Sequence, residues 1–286
     1  MEPIAVFPSQ DKLHTLSTDA TQKAANDLDE TDETKPSSLT KLRQLLDTSL
    51  STPDTKASLH LPDPDILTSD IFLTKFLRAR NFDAEQAHRL ILNYYTFQAN
   101  HPFLFTDHNA VTLSPVFDAG IFAVLPNRDR QGRVVVLFFP GRHRLCEIPF
   151  DHMLRACVYV LERAVRSAET QVNGIVLLED FDGFTLKQAL GLKARDLKNL
   201  VTLAQDCFPV RLTAIHMVKQ PKFITLIMSI IRPFLAADVR RKIIMHGTDF
   251  RSLHHEFEPS TLPFEFGGTT GPVDIQSSKQ MLLDEQ

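Results

Sequence analysis

Residues 219–247 read KQPKFITLIMSIIRPFLAADVRRKIIMHG. Between Phe223 and Ile231 seven of nine residues are apolar, with Thr225 and Ser229 as the interruptions. Pro221 suits the first turn of a helix, where its missing N–H would have no intrahelical partner anyway. Pro233 breaks or kinks that helix two residues after Ile231. A helix apolar on nearly every face is buried, or lies against something apolar outside its own core. Arg240, Arg241 and Lys242 follow, and KIIMH (242–246) reads as a strand. Two readings stand at this point. One is a core helix followed by a solvated basic turn. The other is a lid over an apolar pocket, with cations beside it for an anionic head group.

Outward from this stretch, helices and apolar strands alternate. GIVLLED (174–180) and VRLTAIHMV (210–218) are short apolar runs of the kind buried in a parallel sheet. IFAVLP (121–126) and RVVVLFFP (133–140), joined by NRDRQG, read as a hairpin. Residues 150–169 form a helical pattern with Met153, Leu154, Cys157, Val158, Leu161 and Val165 on one side. A second pattern, about 193–206, carries Leu197, Leu200, Val201 and Ala204. The expected class is therefore α/β with a mostly parallel sheet.

Upstream the pattern is all helical. Leu39, Leu42, Leu45, Leu46 and Leu50 recur at three- and four-residue steps after Pro36-Ser37-Ser38. STPDTKASLHLPDPD (51–65) holds three prolines and reads as a loop. Asp70 is placed to cap IFLTKFLRAR, with Ile71, Phe72, Phe76, Leu77 and Ala79 as its inward stripe. Asp83 with Gln86 makes a capping-box pattern. The helix it opens turns Leu90, Ile91, Tyr94 and Phe97 inward and ends at His101-Pro102. Residues 1–36 lack apolar periodicity and carry DLDETDETKP, so a disordered acidic tail is expected. The division is thus a tail over 1–36, a helical module over 37–110, an α/β domain over 111–271 and a short tail over 272–286.

Composition narrows the function. The net charge is −4, and residues 1–60, with 10 acidic and 6 basic side chains, carry all of it. Residues 211–251 hold 8 basic side chains against Asp238 and Asp249, a local excess suited to an anionic surface. Cys146, Cys157 and Cys207 show no metal spacing, and an odd, scattered set suits a reducing compartment. The N-terminus MEPIAVFPSQDK has no signal-peptide pattern. A membrane span needs roughly 20 apolar residues, which the run at 223–231 does not reach. A cytoplasmic protein is expected. The basic residues lie beside aliphatic rather than aromatic side chains, and there is no Trp, so nucleic acid is not an expected partner.

Catalytic patterns are missing. There is no GxSxG, HExxH, GxGxxG or GxxxxGK[ST]. Asp180–Gly183 fits a DxxG turn, which does not make a nucleotide site without a phosphate loop. Glu179, Asp180 and Asp182 are candidates for acid–base work, with turn and capping chemistry as the alternative. His254, His255 and Glu256 are adjacent, and adjacent helical residues point apart, which favours a solvated helix end over a metal site. No nucleophile has a base and an orienting partner, so neither catalysis, a metal nor a cofactor is expected.

FLRARNFD (76–83), LILNYY (90–95), the DxxG turn, CFPVRLTAIHMV (207–218), PKFITLIMSIIRPFL (221–235), IIMHG (243–247) and LPFEFGG (262–268) follow one another in the order found in the CRAL-TRIO family. The chain resembles that family over about residues 38–270, in the branch that includes tocopherol-transfer, clavesin and retinaldehyde-binding proteins. The resemblance implies a helical module packed on an α/β sandwich, with a lid helix over an apolar cavity. It also implies a protein that carries one hydrophobic small molecule (tocopherol-like, retinoid or other lipid) without chemistry. Pocket positions carried over are Leu154, Cys157, Val158, Leu161, Ile175, Leu177, Leu186, Leu192, Leu203, Val210, Leu212 and Ile215. The lid carries Phe223, Ile224, Leu226, Ile227, Ile230 and Ile231. Phosphatidylinositol bisphosphate binding is implied at Arg80, Arg211 and Lys242. Asp238 stands where that branch has a further basic residue, and Arg240 and Arg241 are placed to compensate. Cys157 replaces a small hydroxyl residue, Leu154 an aromatic one, and Glu179 occupies an apolar position.

The expectation is a monomeric, cytosolic lipid-transfer protein that visits phosphoinositide-bearing membranes, endosomal ones among them, as a reversible peripheral partner. The alternative from another class is an adaptor that uses the same fold as an interaction scaffold. A charged side chain inside the cavity would favour it, and Glu179 is the position that decides.

Overall fold

The computed structural model describes residues 6–51 and 61–284. Five strands form one sheet in the order β1-β2-β3-β4-β5. They are β1 Phe122–Val124, β2 Val134–Phe138, β3 Ile175–Asp180, β4 Leu212–Val218 and β5 Ile243–Gly247. The pair β1/β2 is the expected antiparallel hairpin, and the other pairings are parallel. Sequential parallel strands joined by right-handed crossovers place their connecting helices on one face. The opposite face is covered by Leu253, Phe257, Leu262 and Phe266, which pack on Val135, Leu137, Val176, Leu178 and Val218.

The helices, in chain order, are α1 Thr18–Leu28, α2 Thr34–Leu50, α3 Pro64–Leu67, α4 Asp70–Ala79, α5 Ala84–Asn100 and α6 Ala110–Asp118. The α/β part adds α7 Phe150–Val165, α8 Ala168–Asn173, α9 Leu186–Gly191, α10 Ala194–Thr202, α11 Ile224–Ile231, α12 Ala237–Arg241, α13 Arg251–His254 and α14 Ile275–Leu283. The loop expected over 51–65 lies mostly outside the described residues. Asp83 caps α5 as expected, its carboxylate accepting from the Glu85 and Gln86 N–H groups, but the capping box does not close: the Gln86 side chain donates to the Asp83 carboxylate, and the Asp83 N–H goes to the Arg80 carbonyl oxygen.

Several expectations are corrected. The acidic segment is not a disordered tail over 18–36. Ser17 caps α1, and Ala20, Ala24 and Leu28 bury one face of it. Two of those three residues are Ala, so the stripe carried too little apolar signal to register. Glu30, just after α1, meets Arg78 at 2.7 Å and Lys35 at 2.9 Å, and Arg78 also donates to Gln171 at 2.8 Å. This network ties the N-terminal segment and α4 to α8. The segment after 272 is no tail either. Leu282 is buried, and the Ser278 hydroxyl accepts from the Val124 N–H at 2.8 Å, on the edge strand β1. Ser69, not Asp70, caps α4, and Ile71 points outward while Leu73, Phe76 and Leu77 fill the core. The 150–169 pattern splits at Ser167 into α7 and α8, and the 193–206 pattern ends in a π-helical turn, Leu203–Cys207.

Glu30 and Arg78 are both nearly inaccessible. Removing one partner of a buried pair leaves the other charge uncompensated, at about 3–5 kcal/mol. Glu30→Ala is expected to lower the unfolding free energy by that order, read as a fall in the denaturant midpoint at unchanged slope. Burial works against the Glu30 carboxylate, yet Arg78 and Lys35 still hold its pKa below the usual range. The stability it contributes is therefore present above the ordinary carboxylate pKa and is lost as pH falls through the lowered one. A plot of parent-minus-variant stability against pH checks this.

Candidate functional site

Side chains alternate across a strand, so β3 sends Ile175, Leu177 and Glu179 to the face opposite Val176 and Leu178. That face is the floor of a cavity of about 1020 Å³. Val136 and Phe138 of β2 and Ile215 and Met217 of β4 extend the floor. Met153, Cys157, Val160 and Leu161 of α7 form one wall, and Leu200, Val201 and Ala204 another. Ile231, Leu235 and Ile243 close it.

Of the residues expected in the pocket, Cys157, Leu161, Ile175, Leu177, Val210, Leu212 and Ile215 line it. Leu154, Val158 and Leu203 do not. They are on helix faces turned into the protein's own core. Leu192 packs with Phe181 and Leu197 in a separate cluster, and Leu186 is 47% exposed on the short helix α9. The lid is corrected in the same way. Ile231 reaches the cavity, whereas Ile224 and Ile227 bury against Phe181, Ala189 and Leu197, with Phe223 and Ile230 beside them. Leu226 is 43% exposed. A helix apolar all round has faces for a core, a cavity and the outside, and its sequence does not say which face is which. Val136, Phe138 and Met217 went unread, though period-two alternation from Leu177 and Ile215 indicates them.

One end of the cavity is polar. Arg80, Arg211 and Lys242 line it together with Asn81, Asp206 and Asp238. Asn81 and Phe82 both take positive φ, and the Asn81 side chain accepts from Arg211 at 3.2 Å. Gly174 has φ +86°, and a Cβ there would lie 2.5 Å from the Arg211 carbonyl oxygen, so only glycine permits this approach of β3 to Arg211. Arg80 donates to the carbonyls of Ala79 and Gln205, each at 3.0 Å. The Gln205 side chain bonds the Phe234 carbonyl and the Ala236 N–H just after α11, again at 3.0 Å. Burial lowers the pKa of both Arg80 and Arg211, with nearby carboxylates opposing it only in part. Asp238 lies 3.9 Å from the Lys242 ammonium. Arg240 does not line the cavity, and Arg241 faces a different pocket, on the side of His216 and Arg133. Neither therefore compensates for Asp238 inside the cavity, because α12 turns both outward.

Glu179 is the polar group of the floor. It is buried and has no hydrogen-bond or ion-pair partner among the described residues, and burial pushes its carboxyl up to about 8. Burial also lifts the neighbouring Cys157 thiol to about 12, with Glu179 adding to the shift. Both groups are neutral near pH 7, and the thiol is no nucleophile there. Asp180 and Asp182 do turn chemistry instead. Asp180 pairs with Lys219 at 2.9 Å and accepts from the Asp182 N–H. The His254 ring bonds the Phe266 carbonyl oxygen, and no group of metal-ligating residues gathers among the described residues.

A helical module on an α/β layer, with an apolar cavity under α11 and a basic end, defines the class. The CRAL/TRIO domain profile matches residues 118–268. The chain is 37% identical over 222 residues to the human alpha-tocopherol transfer protein-like protein, covering 77% of this chain and 65% of that one. It is 32% identical to mouse clavesin-1 over 300 residues, covering 99% of this chain and 81% of the relative. The crystal structure of Sfh5 shares the fold, with a TM-score of 0.58 at 14% identity over 87% of this chain and 92% of that one. The chain belongs to the CRAL-TRIO family.

A carboxyl whose pKa is raised on folding weakens the folded state as pH rises from the unfolded value, near 4.3, to the folded one. Glu179→Gln is therefore expected to gain in melting temperature over the parent between about pH 4.3 and 8, with a constant gap above. Calorimetry across that range checks it.

Proposed function

We propose that this protein carries one lipophilic molecule in the cavity and exchanges it at membranes bearing phosphatidylinositol bisphosphate, without chemistry. The observation that carries the reading is an apolar cavity of about 1020 Å³ with Arg80, Arg211 and Lys242 together at its polar end. The volume lies at the upper end of the usual range for small-molecule sites. Guanidinium forks and a lysine point charge suit phosphate oxygens, and Asp206 and Asp238 beside them offset the burial of the cations only in part. Relatives named as tocopherol-transfer-like support the lipid part of the reading. Glu179 refines the ligand. A neutral acid in an apolar floor takes a hydroxyl or carbonyl group, so the cargo is an apolar molecule with one hydrogen-bonding end. No helix among the described residues is long and apolar enough to cross a membrane, which agrees with a peripheral, cytosolic carrier.

Exchange at the membrane requires that phosphate binding favour the open form over the closed one. Gln205 is the coupling element. Its carbonyl holds Arg80 and its amide holds the chain just after α11, so a phosphate that draws Arg80 away loosens that anchor. Asp238 beside Lys242 weakens the phosphate end and shifts head-group preference.

Each basic residue near an anionic surface contributes about 1 kcal/mol. The Arg211→Ala/Lys242→Ala double variant is expected to bind bisphosphate-containing vesicles about 30-fold more weakly, and Asp238→Lys more tightly. Equal vesicle binding by the double variant and the parent defeats the head-group assignment. Native mass spectrometry of the purified protein addresses the cargo. A protein with no co-purifying or exchangeable lipid is the adaptor that a polar cavity residue favours.

A further inference from the structure

A second cleft, of about 880 Å³, lies between the helical module and the α/β domain and shares no lining residue with the lipid cavity. Its walls come from α4 and α5 on one side and α7 on the other. Ile66 and Ile71 line it and are 53% and 58% exposed, although the module core is already filled by Leu73, Phe76 and Leu77. Charge in the cleft is unbalanced. Glu162 is occupied, accepting from the Tyr94 hydroxyl at 2.9 Å and pairing with His108 at 3.2 Å. The Lys75 ammonium sits 5.0 Å from the ring centres of both Phe72 and Phe76 and has no carboxylate partner among the described residues. Arg166 has none either, and both face this cleft.

We propose that this cleft is a second ligand site, for a long-chain carboxylate: the head group lies between Lys75 and Arg166 and the apolar chain runs along Ile66 and Ile71. Arg163 also lines the cleft but donates to the Asp284 carbonyl oxygen, which leaves Lys75 and Arg166 for the ligand; two cations beside one satisfied carboxylate fit a monoanion, and a dianion would be repelled by Glu162. Burial pulls the Lys75 ammonium down to about 8, only partly opposed by Glu162, so an added carboxylate relieves a cation that the protein leaves uncompensated. The ligand would bridge the two parts of the chain, because each contributes one of the cations.

A photoreactive C16 diazirine fatty acid, applied to the full chain and mapped by peptide mass spectrometry, tests the proposal. Labelling is expected within residues 66–75 and 162–166, none of which lines the cavity, apart from any on the cavity wall 153–161 and the cavity strands 175–179 and 212–217. Oleate should compete for the cleft label, and oleyl alcohol should not. Lys75→Gln/Arg166→Gln should cut cleft labelling about tenfold or more, the usual weight of a charged hydrogen bond, and leave cavity labelling in place. Ile71→Asp, at an exposed position that leaves the core untouched, should do the same by blocking the chain. Label confined to the cavity peptides, equal competition by the alcohol, or undiminished cleft labelling in folded variants overturns it.

Discussion

A parallel strand has to be covered on both faces, and in this protein the two covers are of different kinds. The C-terminal segment fills one face of the sheet with close-packed phenylalanine and leucine side chains. The other face meets helices held away from it, and the space between is the cavity. Consecutive parallel strands lie side by side in chain order, and crossovers of the usual right hand put their helices on that one side. The strand register then divides the side chains, so that Val176 and Leu178 belong to the packed layer while Ile175, Leu177 and Glu179 belong to the cavity. The pocket is thus a consequence of topology, and its lining follows from a period of two.

The basic end depends on long-range contacts that tie it to the rest of the chain. Arg80 comes from the helical module, Arg211 from the residue before β4 and Lys242 from the residue before β5. They meet because the π-helical turn at Leu203–Cys207 supplies the Gln205 carbonyl to Arg80, and because Asn81 in a left-handed conformation supports Arg211. The helical module is therefore a wall of the site as well as a neighbour of it. Its attachment rests on the buried Glu30–Arg78–Gln171 network, which explains why an acidic N-terminal segment folds against the protein instead of trailing from it.

Glu179 introduces a polarity that apolar packing does not require. A carboxyl without a protein partner is costly in a dry site, and it stays neutral to limit that cost. Because it is neutral, a charged residue does not by itself exclude an apolar cargo, and the question of carrier or adaptor turns on whether a ligand satisfies that acid.

Much was legible from the chain alone. Strand and helix periodicity placed β2 to β5, α7 and α11 within a few residues, since an apolar run bounded by turn residues has few other solutions. The ordered motifs from FLRARNFD to LPFEFGG indicated the family. Seven of the twelve residues read as pocket wall line it. Of the other five, Leu154, Val158 and Leu203 are as apolar as Cys157 and Leu161, and only the orientation of a helix against the sheet distinguishes a wall from a core, while Leu186 and Leu192 belong to the region of α9, outside the cavity. The helix at 18–28 was missed because alanine buries well and signals weakly, and the outward turn of Arg240 and Arg241 because charge says nothing about direction. Local sequence determined the elements, their periodicity and the absence of catalytic patterns, since those depend on neighbours along the chain. Tertiary structure decided which apolar faces enclose space and which cations share a site, because both depend on side chains from separate elements meeting in space.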